Sequence, residues 1–112
     1  MSSSSAARKL RAQAPLFAAL GDETRLSLVA RLADGRARSI ARLTLKSNMT
    51  RQAITKHLHV LEEAGVVRGV RSGRQIVFAL EPASLDGAKA CLDQISAECD
   101  DALSRLKSFV EK

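Results

Sequence analysis

Between Ala83 and Val110 the apolar and small residues Leu85, Ala88, Leu92, Ile95, Cys99, Ala102, Leu106 and Phe109 follow one another at alternating spacings of three and four. That rhythm is a heptad seam, and it commits about a quarter of a 112-residue chain to one helix. At the usual rise per residue such a helix is about 40 Å long, longer than the body of a domain this small. Part of its stripe stays wet unless a second chain covers it. The seam therefore predicts a homodimer in which the first helix (8–20) and the last (83–110) make the contact. Leu10, Phe17, Leu92, Ile95, Cys99, Leu106 and Phe109 are its candidate interface residues.

The rest of the chain must build its core without much aromatic help. Apolar residues make up 46% of the sequence, yet the aromatics are three Phe, so Leu, Ile, Val and Ala fill the interior and favour helices. The length allows one domain, read as residues 8–112, preceded by a Ser-rich tail over 1–7 expected to be disordered. From Arg8 to Leu20, Leu10, Ala14, Phe17 and Ala18 recur at helical spacing, with Pro15 marking a kink or a late start. Asp22 caps a second helix whose Leu26, Val29, Ala30 and Ala33 read as its apolar stripe before Asp34-Gly35 ends it. Ser39 caps a short third helix carrying Ile40 and Leu43, Ser47-Asn48 makes a turn, and Thr50 caps a fourth.

Two short helices joined by a tight turn form a helix-turn-helix. The fourth helix, over 50–64, ends at Gly65. Val66, Val67 and Val70 follow, then Arg71-Ser72-Gly73-Arg74, then alternating Ile76, Phe78 and Leu80. This predicts a β-hairpin over 66–80 with a basic tip. The fold class is thus mainly α with a small β-hairpin, a winged helix-turn-helix in a dimeric assembly.

The fourth helix has two unlike faces. On a helical wheel Ile54, Leu58 and Leu61 fall within about 60° of one another, while Gln52, Thr55, Lys56 and His59 gather opposite. Gln pairs bidentately with adenine, Thr touches a thymine methyl, and Lys and Arg reach guanine or phosphate. Charge agrees with that chemistry. The chain carries a net charge of +6, but residues 36–80 hold nine Lys and Arg against two Glu, whereas residues 81–112 hold four against seven acids. A basic block around a hydrogen-bonding helix points to double-stranded DNA as the partner.

Four stretches carry a resemblance to a known family: Leu16-Phe-Ala-Ala-Leu-Gly-Asp-Glu-Thr-Arg25, Thr50-Arg-Gln-Ala-Ile-Thr-Lys-His-Leu58, Val60-Leu-Glu-Glu-Ala-Gly-Val-Val67, and Arg71-Ser-Gly-Arg74 leading into Phe78-Ala-Leu80. Together they resemble the ArsR/SmtB family of bacterial winged-helix repressors, in the branch without an obvious metal site. The resemblance implies a homodimer that lays its two fourth helices in successive major grooves of a near-palindromic operator and represses a nearby promoter. It implies that Thr50, Arg51, Gln52, Thr55, Lys56 and His59 face bases and phosphates. It also implies that Arg71 and Arg74, with Arg68 after them, are wing contacts.

The departures from the family matter equally. Metal-sensing members carry Cys-x-Cys where this chain has Ser39-Ile40-Ala41, and no His follows His59, so neither a metal site nor another cofactor is expected. His57 and His59 diverge by about 160° on a helix and cannot share an ion. Cys91 and Cys99 are eight residues apart on one helix, a rise of about 12 Å that excludes a disulfide within the chain. Cys99 on the seam reads first as a small hydrophobe, with Cys91 as an incidental flanking residue. A thiol-based redox regulator using Cys99, an unknown small-molecule inducer and a winged-helix protein-interaction module are the alternatives weighed against the simple repressor. No Gly-rich phosphate loop or Ser-His-Asp order indicates an enzyme. No apolar run of about 20 residues or secretory h-region occurs, so a cytoplasmic protein is expected.

Overall fold

The computed structural model describes residues 2–111, with side chains from residue 7 onward. Along the chain run α1 (Ser2–Ala12), α2 (Ala14–Leu20), α3 (Glu23–Arg31), β1 (Arg38–Ser39), α4 (Ile40–Leu45), α5 (Arg51–Glu63), β2 (Val67–Ser72), β3 (Gln75–Leu80) and α6 (Pro82–Glu111). Three side-chain caps set where helices begin. Asp22 accepts from the Arg25 N–H, Ser39 from the Arg42 N–H and Thr50 from the Ala53 N–H, each satisfying a donor that the helix itself leaves orphaned. Gly65, at φ 79°, supplies the left-handed residue beyond α5.

α4 and α5 form the helix-turn-helix, and the dry face of α5 is the one its sequence marks: Ile54, Leu58 and Leu61 are buried. They meet Leu16 and Ala19 of α2, Leu28 and Leu32 from the α3 segment, Leu43 of α4, Val66, Val67, Phe78 and Ala88 in one core cluster. β2 and β3 pair antiparallel from Val67↔Leu80 to Ser72↔Gln75, leaving Gly73-Arg74 as a two-residue loop. Gly73 has φ 62°, and a positive φ at the first loop position is the requirement of the type II′ turn that matches the strand twist.

Four features differ from expectation. The first helix starts at Ser2, so residues 2–7 of the expected tail are helical, while Met1 lies outside the described residues. Ala6, Ala7, Arg8, Lys9 and Leu10 are strong helix formers, and their helix extends backwards through residues that carry no apolar periodicity. Second, the 8–20 segment is two helices. It breaks at Gln13, and Pro15 sits in the first turn of α2, where its missing N–H is harmless. Third, the buried face of α3 is Leu28 and Leu32 with half-buried Val29, not the Leu26, Val29, Ala30 and Ala33 stripe; Leu26 is 53% exposed. The two stripes share Val29, and contact with α2 and α5 decides between them. Fourth, β1 joins the hairpin to give the order β1-β3-β2. A two-residue strand is too short to alternate visibly.

α6 covers 30 residues, but only Ala88 and Cys91 of it are buried. The radius of gyration is 18.2 Å, against about 13 Å for a compact domain of this length. The carboxyl half of α6 projects from the body, with every described residue from Ser96 onward exposed.

Candidate nucleic-acid interface

α5 presents its polar edge to solvent because its apolar edge is spent on the core. Arg51, Gln52, Lys56 and His59 are exposed. Thr50 is exposed too, but its Oγ1 accepts the Ala53 N–H at 3.1 Å, so it caps the helix and keeps its hydroxyl proton and one lone pair for another partner. The Thr55 hydroxyl donates to the Arg51 carbonyl at 2.7 Å. Thr55 therefore offers a methyl group and a lone pair and has no proton left to donate. His59 has its Nδ1 3.7 Å from Glu62 Oε1. On the wing, Arg71 and Arg74 are exposed at and beside the turn, whereas Arg68 lies 3.7 Å from Glu81 and is partly neutralised there.

Beneath α5 lies a polar node that sequence reasoning missed. Arg25 donates through Nε to the Ala19 carbonyl at 2.6 Å, and its Nη1 lies 3.4 Å from His57 Nδ1. A guanidinium can only donate, so that nitrogen of His57 is the acceptor. Asp22 Oδ2 is 3.8 Å from the same nitrogen. The backbone N–H of Arg25 holds the Asp22 carboxyl below its ordinary range, with the Arg25 charge and the backbone N–H of Thr24 adding to the effect. The node ties the end of α2 and the start of α3 to the middle of α5. Its only sequence signal is the divergence of the two histidines, which exposure bears out: the His57 side chain is 21% exposed and that of His59 64%.

A second set of arginines braces α4. Arg31 donates to the Leu43 and Arg42 carbonyls. Arg38 grips Asp34 with both terminal nitrogens, at 2.6 and 3.0 Å, and also donates to the Arg31 carbonyl. The Arg38 guanidinium, helped by the backbone N–H of Arg36, holds the Asp34 carboxyl well below the usual carboxylate range.

The proposed subunit contact divides. Leu92, Ile95, Leu106 and Phe109 are exposed on α6, as are Leu103 and Val110, which the heptad count leaves out although they continue a stripe from Cys99. Leu10 and Phe17 are half-buried, and Phe17 packs partly on the core of its own chain. The two thiols are free: Cys91, expected to be an incidental flanking residue, is buried within its own chain, whereas Cys99, expected on the subunit seam, is exposed on the single chain. Cys91 faces α1, lining a cleft with Lys9, Leu10 and Gln13, whereas Cys99 lies beyond the body. Among the described residues no group of three His, Cys, Asp or Glu is placed to hold a metal ion, and no helix is long and apolar enough to cross a membrane.

Comparison with known proteins decides the family. Residues 20–70 match a family described as a helix-turn-helix domain. The chain is 40% identical over 75 residues to an uncharacterised HTH-type transcriptional regulator, YuzN, of Bacillus subtilis, covering 60% of this chain and 82% of that protein. It is 31% identical to the HTH-type transcriptional repressor SmtB of Mycobacterium tuberculosis, over 84% of this chain and 67% of that one. The chain belongs to the ArsR/SmtB family of winged helix-turn-helix transcriptional regulators. Two solved structures of that kind show the same fold. An ArsR-like transcriptional regulator from Rhodococcus sp. RHA1 has 35% identity and a TM-score of 0.74, over 88% of this chain and 92% of that one. A homodimeric winged helix-turn-helix DNA-binding domain from Mycobacterium bovis has 26% identity and a TM-score of 0.63, over 82% and 83% of the two chains. The ArsR/SmtB proteins are DNA-binding regulators and not enzymes.

Proposed function

We propose that this ArsR/SmtB regulator is a homodimeric repressor. Its two α5 helices enter successive major grooves of a near-palindromic operator, and its two wings lie on the flanking backbone or minor groove. The observation that carries this reading is the split of α5 into a core-facing Ile54, Leu58 and Leu61 edge and a solvent-facing edge of Arg51, Gln52, Lys56 and His59. A core-anchored helix with an exposed row of donors and acceptors is rigid enough to read base edges. Dimerisation follows from the uncovered apolar length of α6 and agrees with the homodimer found for the Mycobacterium bovis domain. Repression agrees with the function named for SmtB. Work on chromosomal DNA places the protein in the cytoplasm.

Within this reading Gln52 and Arg51 read bases from the first turn of α5, and Thr55 supplies an apolar contact through its methyl. Arg71 and Arg74 engage backbone. The test is selection of bound fragments from genomic DNA by the full-length protein. The reading expects recovery of sites with an inverted repeat, one of them near a promoter whose output falls when the protein is present. Recovery of fragments with no shared motif would refute sequence-specific repression.

A further inference from the structure

Of the nine cations between residues 36 and 80, recognition helix and wing use five, counting Arg68; the other four are Arg36, Arg38, Arg42 and Lys46. They lie together. One depression of about 620 Å³ is lined by Arg31, Arg38, Arg42, Leu45 and Lys46, and a second, of about 320 Å³, by Arg36, Arg38, Arg42 and the β3 residues Gln75 and Val77 among others. Arg38 and Arg42 border both, so the two form one basic trough across α4. No carboxylate lines it.

Its cations are of two kinds. Arg31 and Arg38 are spent on structure, through the α4 carbonyls and the Asp34 carboxylate. The head groups of Arg36, Arg42 and Lys46 make no ion pair or hydrogen bond among the described residues, and all three residues are exposed. Unspent cations held by a braced scaffold, where the one neighbouring carboxylate, Asp34, is already taken by Arg38, are a receptor for repeated negative charge.

Topology says which polyanion. β1 pairs with β3 as Arg38↔Phe78 and Ser39↔Val77, so α4 starts beside the end of β3 nearest the wing tip. Gln75, the residue after the Gly73-Arg74 turn, lines the trough with Arg36 and Arg42. At the other end Lys46 borders a hollow with Ser47, Asn48 and Met49, the residues leading to the Thr50 cap of α5. The trough therefore bridges the wing tip and the start of α5, the two elements already assigned to DNA. We propose that Arg36, Arg42 and Lys46 form a third contact surface, which grips the sugar-phosphate backbone of the operator between the groove read by α5 and the stretch under the wing. The proposal rests on the DNA-binding role of α5.

Each phosphate neutralised contributes about 0.9 to the slope of log K against log salt concentration. Binding of the full-length protein to a selected fragment is measured over a series of KCl concentrations, for the native chain and for an Arg42→Gln/Lys46→Gln variant. These residues are exposed and the thermal midpoint checks that the fold survives; Lys46→Gln alone serves if it does not. With two phosphate-binding cations removed from each subunit of a dimer, the slope becomes shallower by about 3.6, or about 1.8 for the single variant, and the ratio of cognate to random affinity is unchanged. An unchanged slope in a folded variant overturns the proposal and leaves the reading of α5 intact. So does competition by millimolar pyrophosphate that disappears in a variant of unchanged slope, which would assign the trough to a small anion. Failure of the native chain to select any fragment overturns both.

Discussion

Single side chains divide here into those that hold the reading helix and those free to read. Gln52 is free: it is exposed, and its amide carries both donor and acceptor. Gln52→Ala should cost about 1–3 kcal/mol on the cognate site and relax preference at one base position, measured by titration of cognate and substituted duplexes. Retention of the full preference would remove Gln52 from the contacts. Thr50 is a holding residue, and Thr50→Ala should cost about 0.5–2 kcal/mol of thermal stability in addition to any loss on DNA. The larger acid-side pH dependence, ahead of that of Asp22, belongs to Asp34. Its folded-state pKa lies below the unfolded value, so its pairing with Arg38 stabilises the protein fully at neutral pH, and that contribution is lost as pH falls below about 4. Asp34→Asn should therefore narrow the difference in melting temperature between pH 7 and pH 3, and an undiminished difference would contradict the pairing. The exposed faces of α5 were legible because a 3.6-residue period sorts them. Arg25 with His57, and Arg31 with the α4 carbonyls, were not, because they join residues far apart in sequence whose partners are backbone carbonyls or a single ring nitrogen.

At the scale of elements, caps and turns carried most of the information. Asp22, Ser39 and Thr50 begin helices where a short polar side chain can take an orphaned N–H, and Gly65 and Gly73 sit where φ is positive. Placement of the α3 stripe, the start of α1 and the β1 pairing needed tertiary contacts. Leu26 and Leu28 are equally apolar, and only packing against α2 and α5 shows which faces inward. The wing gives a prediction of its own: Gly73→Val forces a β-branched residue to a positive φ and should weaken the hairpin and, with it, cognate and random DNA binding alike. Circular dichroism and DNA titration of that variant check this, and a loss confined to the cognate site would show that the wing reads sequence. The core anchor of α5 is equally testable, since Leu58→Ala empties a fully buried position and should cost about 2–5 kcal/mol in chemical denaturation.

For the molecule as a whole, shape is decisive. A core of short helices and a small sheet stops near Cys91, and the remaining turns of α6 carry Leu92, Ile95, Leu103, Leu106, Phe109 and Val110 into solvent. The heptad spacing announced that surplus, and the extent of 65 Å along the long axis displays it. In the proposed dimer a second copy laid on this face would bury the seam and set two α5 helices in fixed relation, tying subunit contact to DNA recognition. Ile95→Asp with Leu106→Asp should separate the subunits and abolish cognate binding while leaving the core folded. The most direct test is sedimentation of the full-length protein with a selected operator at about 0.1 M salt, within the regime where phosphate contacts still hold. Two chains on each duplex, both in the free protein and in the complex, is the result expected. One chain per duplex, from a protein that sediments alone as a single subunit, would contradict the two-fold assembly on which the account depends.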